Sequence, residues 1–247
     1  DADGFVWVGT RGGIARYDGK NFLPKISYPA DSSNATVVLS MSSGPIRKFL
    51  IHYEDEGYEI FDPLTQRNIF KNELNWAKSH RLAPDMIDSK GRWWMRTLDS
   101  TIVFANPSRN KFQSYNETNG KLLTLVEGVD GHIYSYSGLG INKYDSVRNK
   151  FDLQPYTVPF TGRTDVALSC ALPDGQIALA DFNSLILYHP GSKKFSKVAL
   201  PGKPAKIRHL STGPDGLVYV EAVGRAYRYL SNGTVQSGWE MPPGNAL

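Results

Sequence analysis

Short apolar runs that follow glycine turns dominate the pattern of hydrophobic and polar positions along this chain. Four clear examples cover residues 5–8 (FVWV), 93–95 (WWM), 133–136 (IYSY) and 217–220 (LVYV). They are rich in β-branched and aromatic residues, which strands prefer. They are also largely apolar at consecutive positions, which is typical of strands whose two faces are both covered. The pattern therefore predicts many short strands in sheets that other sheets cover on both sides.

The glycine turns recur along the whole chain. Six turn glycines lie 40, 47, 40, 44 and 41 residues apart: Gly4, Gly44, Gly91, Gly131, Gly175 and Gly216. This period is typical of a four-stranded propeller blade. An aromatic residue follows the glycine by 13 residues in five copies: Tyr17, Phe104, Tyr144, Tyr188 and Tyr229. In the second copy Phe61 follows by 17 residues, which we interpret as a four-residue insertion around residues 54–57.

Each repeat has turn residues at the spacing expected of a four-stranded unit. Asp-Gly pairs such as Asp130-Gly131 indicate tight hairpins, and turns rich in Asp, Asn, Pro and Gly follow the aromatic strand. An extended run before each turn, such as residues 36–40, is interpreted as the innermost strand. We predict an all-β fold, a β-propeller of four-stranded antiparallel blades, with six repeats in one domain over residues 1–247. No innermost strand precedes the first turn, so we expect the repeats to belong to a larger ring.

Composition and charge narrow the classes of function. The chain is 40% hydrophobic, enough for a sizeable core, and it contains neither a signal peptide nor a membrane-length apolar run. The formal net charge is +4, but the Lys and Arg residues are scattered. Scattered cations indicate a solvated surface, so we expect no nucleic-acid partner. The single cysteine, Cys170, lies in an apolar stretch and is predicted to be a core residue.

The motifs that hold cofactors are missing from the sequence. There is no phosphate-binding loop, since Gly138-Leu139-Gly140 lacks the third glycine and the helix that would hold a pyrophosphate. The five histidines are never at metal-ligand spacing. The Asp-Gly turns supply carboxylates, but a role in the turns is the simpler interpretation. We therefore expect no cofactor, no metal and no catalytic residue in this segment.

Polar and aromatic residues in connections that approach the same end of the predicted ring are the candidate ligand-binding residues. Loops from several blades converge at such an end. The candidates are Arg11, Tyr53, Trp76, Arg81, Arg163 and Arg208. The strand residues Trp7 and Trp94 are instead predicted to pack between blades, although aromatic faces also suit sugar rings.

The first repeat resembles a known family. Residues 1–10 read DADGFVWVGT and residues 13–19 read GIARYDG, which is similar to the two-component regulator propeller repeat. That repeat typically reads Asp, two residues, Gly, two residues, Trp, then a β-branched residue and Gly-Thr, and it closes on Gly-Leu and Arg-Tyr-Asp. The third copy keeps Asp88, Gly91 and Trp94, and the other copies keep the glycine, the strand and the aromatic residue.

The resemblance implies more than the spacing does. Such propellers form the periplasmic sensor region of hybrid two-component histidine kinases, common in gut Bacteroidetes, where they sense breakdown products of glycans. It implies a seven-bladed ring, an oligosaccharide ligand, adjoining propeller or sensor domains in the same parent chain, and a homodimeric receptor. A sensor would carry out no chemistry. Two other classes stay open: a propeller enzyme, either a lyase or a quinoprotein-like enzyme, and a protein-interaction scaffold.

Overall fold

The computed structural model shows an all-β chain. It describes residues 5–25, 37–43, 48–53, 57–69, 83–97, 101–106, 111–115, 122–137, 140–153, 168–180, 184–201, 206–213, 215–222, 225–230 and 232–240. These residues form 23 strands and no helix, and hence no helix that could cross a membrane. The chain divides into two compact units, Asp1–Asn116 (unit 1) and Glu117–Leu247 (unit 2).

Unit 1 contains three antiparallel sheets in which strands that follow each other in sequence are neighbours. Sheet 1 has three strands in the described residues: β1 (Val6–Thr10), β2 (Gly13–Tyr17) and β3 (Phe22–Lys25). Sheet 2 has four strands: β4 (Val38–Ser43), β5 (Phe49–Tyr53), β6 (Gly57–Asp62) and β7 (Arg67–Ile69). Sheet 3 also has four strands: β8 (Ala83–Ile87), β9 (Trp93–Arg96), β10 (Ile102–Asn106) and β11 (Lys111–Tyr115).

Unit 2 contains three four-stranded sheets with the same order. Sheet 4 comprises β12 (Leu122–Glu127), β13 (Ile133–Ser137), β14 (Gly140–Asp145) and β15 (Lys150–Leu153). Sheet 5 comprises β16 (Leu168–Ala171), β17 (Ile177–Ala180), β18 (Leu185–His189) and β19 (Lys194–Val198). Sheet 6 comprises β20 (Ile207–Thr212), β21 (Val218–Ala222), β22 (Arg225–Tyr229) and β23 (Val235–Glu240). The first strands contact each other in succession, β12 with β16 and β16 with β20.

The turn between the first and second strands has the same length throughout, and this changes the register of the second repeat. Ser43 pairs with Phe49 across the same five-residue gap that separates Ile87 from its partner Trp93. Counting four residues on from Ser43, as Gly91 follows Ile87 by four, gives position 47, three residues after Gly44. The aromatic Phe61 then follows by 14 residues, so the pairing implies one extra residue instead of the predicted insertion of four.

The turn glycines adopt the backbone conformation that the sequence predicts. Gly91, Gly131, Gly175 and Gly216 have φ between 70° and 89°, where a side chain is strained. The preceding aspartates accept hydrogen bonds from backbone N–H groups of the same turns, as Asp215 Oδ1 does from Leu217 N at 3.1 Å. The turn role of these carboxylates is thus confirmed in the described turns. Gly4 and Gly44 lie outside the described residues.

Two different side-chain hydrogen bonds tie this turn to the second strand. In sheet 3 the indole N–H of Trp94 donates to Asp88 Oδ2 at 2.8 Å. In sheet 6 the strand residue is Tyr219, whose hydroxyl donates to Asp215 Oδ2 at 2.7 Å. Its ring lies over Gly213, where a Cβ would come within 2.5 Å of the ring. The Tyr219–Asp215 pair therefore requires glycine at position 213, three residues before the turn glycine, whereas the Trp94 pair has Asp88 at the equivalent position.

The cores lie between neighbouring sheets of each unit. Trp7 of sheet 1 packs on Phe49 and Phe61 of sheet 2, with ring centroids 5.8 and 5.1 Å apart. Trp94 is completely buried, and Trp7 is 8% exposed, so their predicted burial is confirmed. Where a sheet has a neighbour on each side, both of its faces are removed from water, which is why the second strands of such sheets are apolar at consecutive positions. The number of blades in the intact ring stays a prediction.

Candidate functional site

Each sheet has a loop edge, which we define as the end where the second strand of the repeat joins the third and where the first strand begins. In sheet 1, β1 and β2 are the second and third strands of the repeat, because Val6 follows Gly4 as Ile133 follows Gly131. Arg11 lies at this edge in sheet 1, exposed on the turn between β1 and β2. Thr10 holds that turn, because its hydroxyl donates to the Gly13 carbonyl at 2.8 Å and accepts from Gly12 N at 3.1 Å. Arg11 is thus a cation presented by a tight, hydrogen-bonded turn.

Tyr53 lies inside the protein. It ends β5, it is 1% exposed, and it belongs to the core formed by sheets 1 and 2. Its hydroxyl donates to Glu59 Oε2 at 2.7 Å, and Glu59 is itself buried. The structure therefore places this residue in the strand and the core, although the sequence suggested a loop.

Arg208 is the extra residue of a β-bulge in the first strand of sheet 6. Ile207 pairs with Ala222 and His209 with Glu221, so Arg208 has no partner in the register. A bulge re-aims side chains and disrupts the ladder locally. Here it places two consecutive exposed residues, Arg208 and His209, between the buried Ile207 and Leu210. The bulge thus gives an otherwise covered strand a short exposed polar segment at the loop edge.

The same bulge recurs in other first strands. Leu39 of β4 and Leu123 of β12 are also extra residues, each four positions before the last paired residue of its strand, as Arg208 is in β20. In β8 the extra residue is Asp85, two positions before the end. Because the bulge recurs in four first strands, it is a feature of the fold. Of the four extra residues, only Arg208 and Asp85 are charged.

Asp85 is a polar residue that sequence reasoning missed. Its Oδ1 lies 3.2 Å from Arg96 Nε, and its Oδ2 is buried without a hydrogen-bond partner among the described residues. Burial raises the pKa of this carboxyl to about 6, although the Arg96 guanidinium acts in the opposite direction. No sequence motif marks this position, since the bulge that turns Asp85 inward depends on strand pairing.

Hydroxyl groups join the first strands of unit 2. The hydroxyls of Thr124 and Ser169 lie 2.8 Å apart, and Thr212 donates to the Ala171 carbonyl at 2.8 Å. Cys170 lies in the same strand as Ser169, and burial raises the pKa of its thiol to about 11. The Thr212 bond ties β20, which carries Arg208, to β16, and the Thr124–Ser169 contact ties β16 to β12, so side-chain hydroxyls join the first strands of unit 2 in succession.

Three of the six predicted residues, Trp76, Arg81 and Arg163, lie outside the described residues. The other three occupy different surroundings: Arg11 is on a turn of sheet 1, Tyr53 is in a core, and Arg208 is on sheet 6. Among the described residues, no group of three or more His, Cys, Asp or Glu side chains is placed to hold a metal ion.

Comparison with solved structures identifies the fold. No family model and no curated protein matches the chain. The extracellular domain of the putative hybrid two-component system BT3049 from B. thetaiotaomicron matches 90% of this chain and 32% of its own, with 18% identity and a TM-score of 0.63. That of BT4673 from the same organism matches 100% of this chain and 36% of its own, with 14% identity and a TM-score of 0.66.

An enzyme is also among the structural neighbours. Virginiamycin B lyase from Staphylococcus aureus matches 98% of this chain and 82% of its own, with 11% identity and a TM-score of 0.66. At these identities the likeness shows the fold. The chain is a β-propeller whose structural neighbours include extracellular domains of two-component sensors, in agreement with the resemblance of its first repeat. It spans about a third of the length of those sensor domains.

Proposed function

We propose that the chain is a ligand-binding propeller in the extracytoplasmic part of a two-component signalling protein, and that it binds a glycan-derived ligand without converting it. The observation that carries this proposal is the structural likeness to the extracellular domains of BT3049 and BT4673. A sensor needs a ligand whose affinity differs between two signalling states, so weak binding is sufficient and turnover is unnecessary.

The proposal includes the setting of the domain. The chain lies in the periplasm, in a seven-bladed ring, beside other propeller or sensor domains of its parent protein, which acts as a homodimer. The extracellular location of the neighbouring domains supports the periplasmic assignment. The repeat period supports the four-stranded blades, and the resemblance of the first copy supports the seven-bladed ring and the dimer.

Arginine side chains at the loop edge carry the proposed binding. Arg11 and Arg208 are exposed there, one on a hydrogen-bonded turn and one on a bulge. A guanidinium group offers several N–H donors in a fixed plane, which suits adjacent sugar hydroxyls or a carboxylate. We assign Trp76, Arg81 and Arg163 to the same site from the sequence. Tyr53 does not contact the ligand in this proposal; it packs in the core next to the loop edge and supports it.

A lyase is the second candidate. Virginiamycin B lyase covers most of this chain, and another solved structure is a catalytically inactive histidine-to-alanine variant of that enzyme bound to quinupristin. His209 is the exposed histidine next to Arg208 on the β20 bulge. An enzyme of this class would place a histidine within reach of the ligand, as a general base must be. This observation makes His209 the residue to test.

Calorimetry with a panel of neutral and acidic oligosaccharides tests the sensor proposal. We expect binding by the wild-type chain, a loss of about tenfold or more in Arg208→Ala or Arg11→Ala, and an unchanged unfolding midpoint. Arg148→Ala is the matched control, because Arg148 is exposed on the turn between β14 and β15, away from the loop edge. Tenfold corresponds to about 1.4 kcal/mol, close to the lower end of the about 1.5–3 kcal/mol that a hydrogen bond to a charged group contributes.

Two results would contradict the proposal. If Arg148→Ala weakens binding as much as Arg208→Ala does, the loss of affinity comes from the change in net charge, and the loop edge is not the binding site. If the bound compound is converted, and His209→Ala abolishes the conversion while binding persists, the lyase candidate replaces the sensor.

A further inference from the structure

Acidic residues are missing from one long segment of unit 2. Residues 182–214 contain six Lys or Arg residues and no Asp or Glu, although the whole chain has 28 basic and 24 acidic residues. The segment includes β18, β19 and the turn between them. Three exposed lysines lie on that turn and on β19, namely Lys193, Lys194 and Lys197, and we call them the basic edge. The edge strand of sheet 5 therefore carries a local excess of positive charge.

The turn between β18 and β19 lacks a carboxylate that the equivalent turns use. In sheets 2 and 4 this turn begins with Asp62 and Asp145, each of which pairs with the basic residue five positions later. Their Oδ1 atoms accept hydrogen bonds from backbone N–H groups inside the turn. In sheet 5 the same register pairs His189 with Lys194, so histidine stands where the other two turns have aspartate.

Lys193 has a backbone conformation that lysine rarely adopts. Its φ is 59°, and the equivalent residues Gln66 and Asn149 have φ of 56° and 57°. Asparagine tolerates this region better than most residues, and Asn149 also accepts a hydrogen bond from the Tyr144 hydroxyl at 2.6 Å. A lysine ammonium group cannot accept such a bond. A lysine at this strained position therefore indicates that the protein uses its charge and not its turn-forming ability.

The positive charges of the basic edge are not neutralised among the described residues. On the equivalent turn and strand of sheet 4, Arg148 and Lys150 both pair with Asp152, at 3.6 and 2.7 Å. None of the ion pairs in the described part of the chain involves the basic edge. Charges on an edge strand also prevent pairing with other strands. Sheet 4 achieves this with ions of both signs, so edge protection does not explain why sheet 5 carries cations alone.

We propose that the basic edge binds an acidic polysaccharide that runs along the edge strand of sheet 5. Lys194 pairs with His189 and Lys197 with Ile186, so the two lysines lie on opposite faces of the sheet. Along the strand they are about 10 Å apart, at roughly 3.3 Å per residue. A linear polymer with carboxylate or sulfate groups at intervals contacts one lysine after the other, and an ammonium group suits either anion as a point charge. This surface is separate from the loop edge and does not rest on the proposed ligand site.

An anionic membrane is a poorer partner for the basic edge. Segments that bind a membrane surface combine cations with apolar side chains that enter the lipid. The exposed residue at the tip of this turn is Leu64 in sheet 2 and Val147 in sheet 4, but it is Gly191 in sheet 5. A flat surface also reaches cations on only one side of the strand, whereas Lys194 and Lys197 lie on opposite faces. The arrangement therefore favours a linear polymer.

Surface plasmon resonance with immobilised polygalacturonate, dextran sulfate and unmodified dextran tests the proposal, since these polymers carry carboxylates, sulfates and no charge. Lys194→Gln/Lys197→Gln removes two charges of the basic edge, and Arg148→Gln/Lys150→Gln is the control that lowers the net charge equally on sheet 4. We expect the wild-type protein to bind at least one acidic polymer and not dextran. The affinity should fall about fivefold or more in the basic-edge variant and less than about twofold in the control. Added salt should weaken the binding, because it screens exposed charges.

Four outcomes would overturn the assignment. If neither acidic polymer binds, the basic edge is a solvated surface. If the control loses as much affinity as the basic-edge variant, net charge accounts for the binding. If Arg208→Ala abolishes polymer binding while Lys194→Gln/Lys197→Gln binds normally, the polymer occupies the loop edge, and the sensor proposal stands without this one. Binding to vesicles of phosphatidylglycerol and phosphatidylcholine, lost in the basic-edge variant and without binding to either polymer, assigns the surface to a membrane.

Discussion

The substitution Gly213→Ala, in the turn before β21, tests whether the Tyr219 ring requires glycine at this position. A Cβ at this position would lie 2.5 Å from Tyr219 Cε2 and 2.6 Å from Asp215 Oδ1. Both atoms belong to residues of one hydrogen-bonded pair, in which the Tyr219 hydroxyl donates to Asp215 Oδ2. Real Cβ atoms do not tolerate such distances, so the ring must move away and the pair must lengthen or break.

The expected cost has two parts. Forcing one methyl group into a filled space costs about 1–3 kcal/mol. Losing the hydrogen bond adds about 1 kcal/mol, since Tyr219 is only partly buried. We therefore expect Gly213→Ala to lower the free energy of unfolding by about 2–4 kcal/mol. Unfolding in urea, followed by fluorescence and circular dichroism together, measures this change if the m-value is unaltered.

Two controls separate the steric effect from general effects of alanine. At Gly191 a Cβ would have no atom within 4 Å, so Gly191→Ala should be neutral or slightly stabilising. In a Tyr219→Ala background the ring is gone and only the contact with Asp215 Oδ1 remains, so Gly213→Ala should then cost at least about 1 kcal/mol less than in the wild type. Equal costs of Gly213→Ala in both backgrounds would refute the account, because they would show that the Tyr219 ring is not the source of the strain.

Three further predictions follow from single positions. Trp94→Ala should cost about 3–5 kcal/mol in urea unfolding, because it removes a completely buried side chain and its bond to Asp88; a cost below about 1 kcal/mol would mean an exposed site. The pKa of Asp85, raised to about 6, means that the folded state holds its proton more tightly, so wild-type stability should fall by up to about 3 kcal/mol from pH 4 to pH 7 relative to Asp85→Asn. The same pH dependence in both proteins would contradict this. Gln66 has φ of 56°, so Gln66→Gly should raise the unfolding midpoint by relieving about 1 kcal/mol of strain, and a lower midpoint would argue against strain there.

The repeat could be recognised in the sequence because each hairpin turn has a local backbone requirement that only certain residues meet. A tight hairpin requires positive φ, glycine supplies it, and the recurrence of Asp-Gly before apolar runs therefore located the turns near Gly131, Gly175 and Gly216. The second repeat was harder. Gly44 looked like the turn glycine, but counting from the pairing of Ser43 with Phe49 gives position 47 in the repeat, and that count rests on contacts between strands.

The candidate site divides in a similar way. The sequence identified Arg11 and Arg208 as polar residues of the right connections, and both are exposed. Tyr53 looked equivalent to them, but it is in the core, because its strand continues to residue 53 and its hydroxyl reaches Glu59. Asp85 was missed, since a bulge is an offset between two strands and leaves no mark in either strand alone.

The sequence by itself determined the all-β class, the repeat period, the turn chemistry and the burial of Trp7 and Trp94. These properties depend on backbone conformation and on side-chain hydrophobicity, which are local. The tertiary structure decided the register of the second repeat and the bulges that expose Arg208 and bury the Asp85 carboxyl. Each of these depends on which residue of one strand faces which residue of another, and pairing across a sheet is settled only when the sheets pack together.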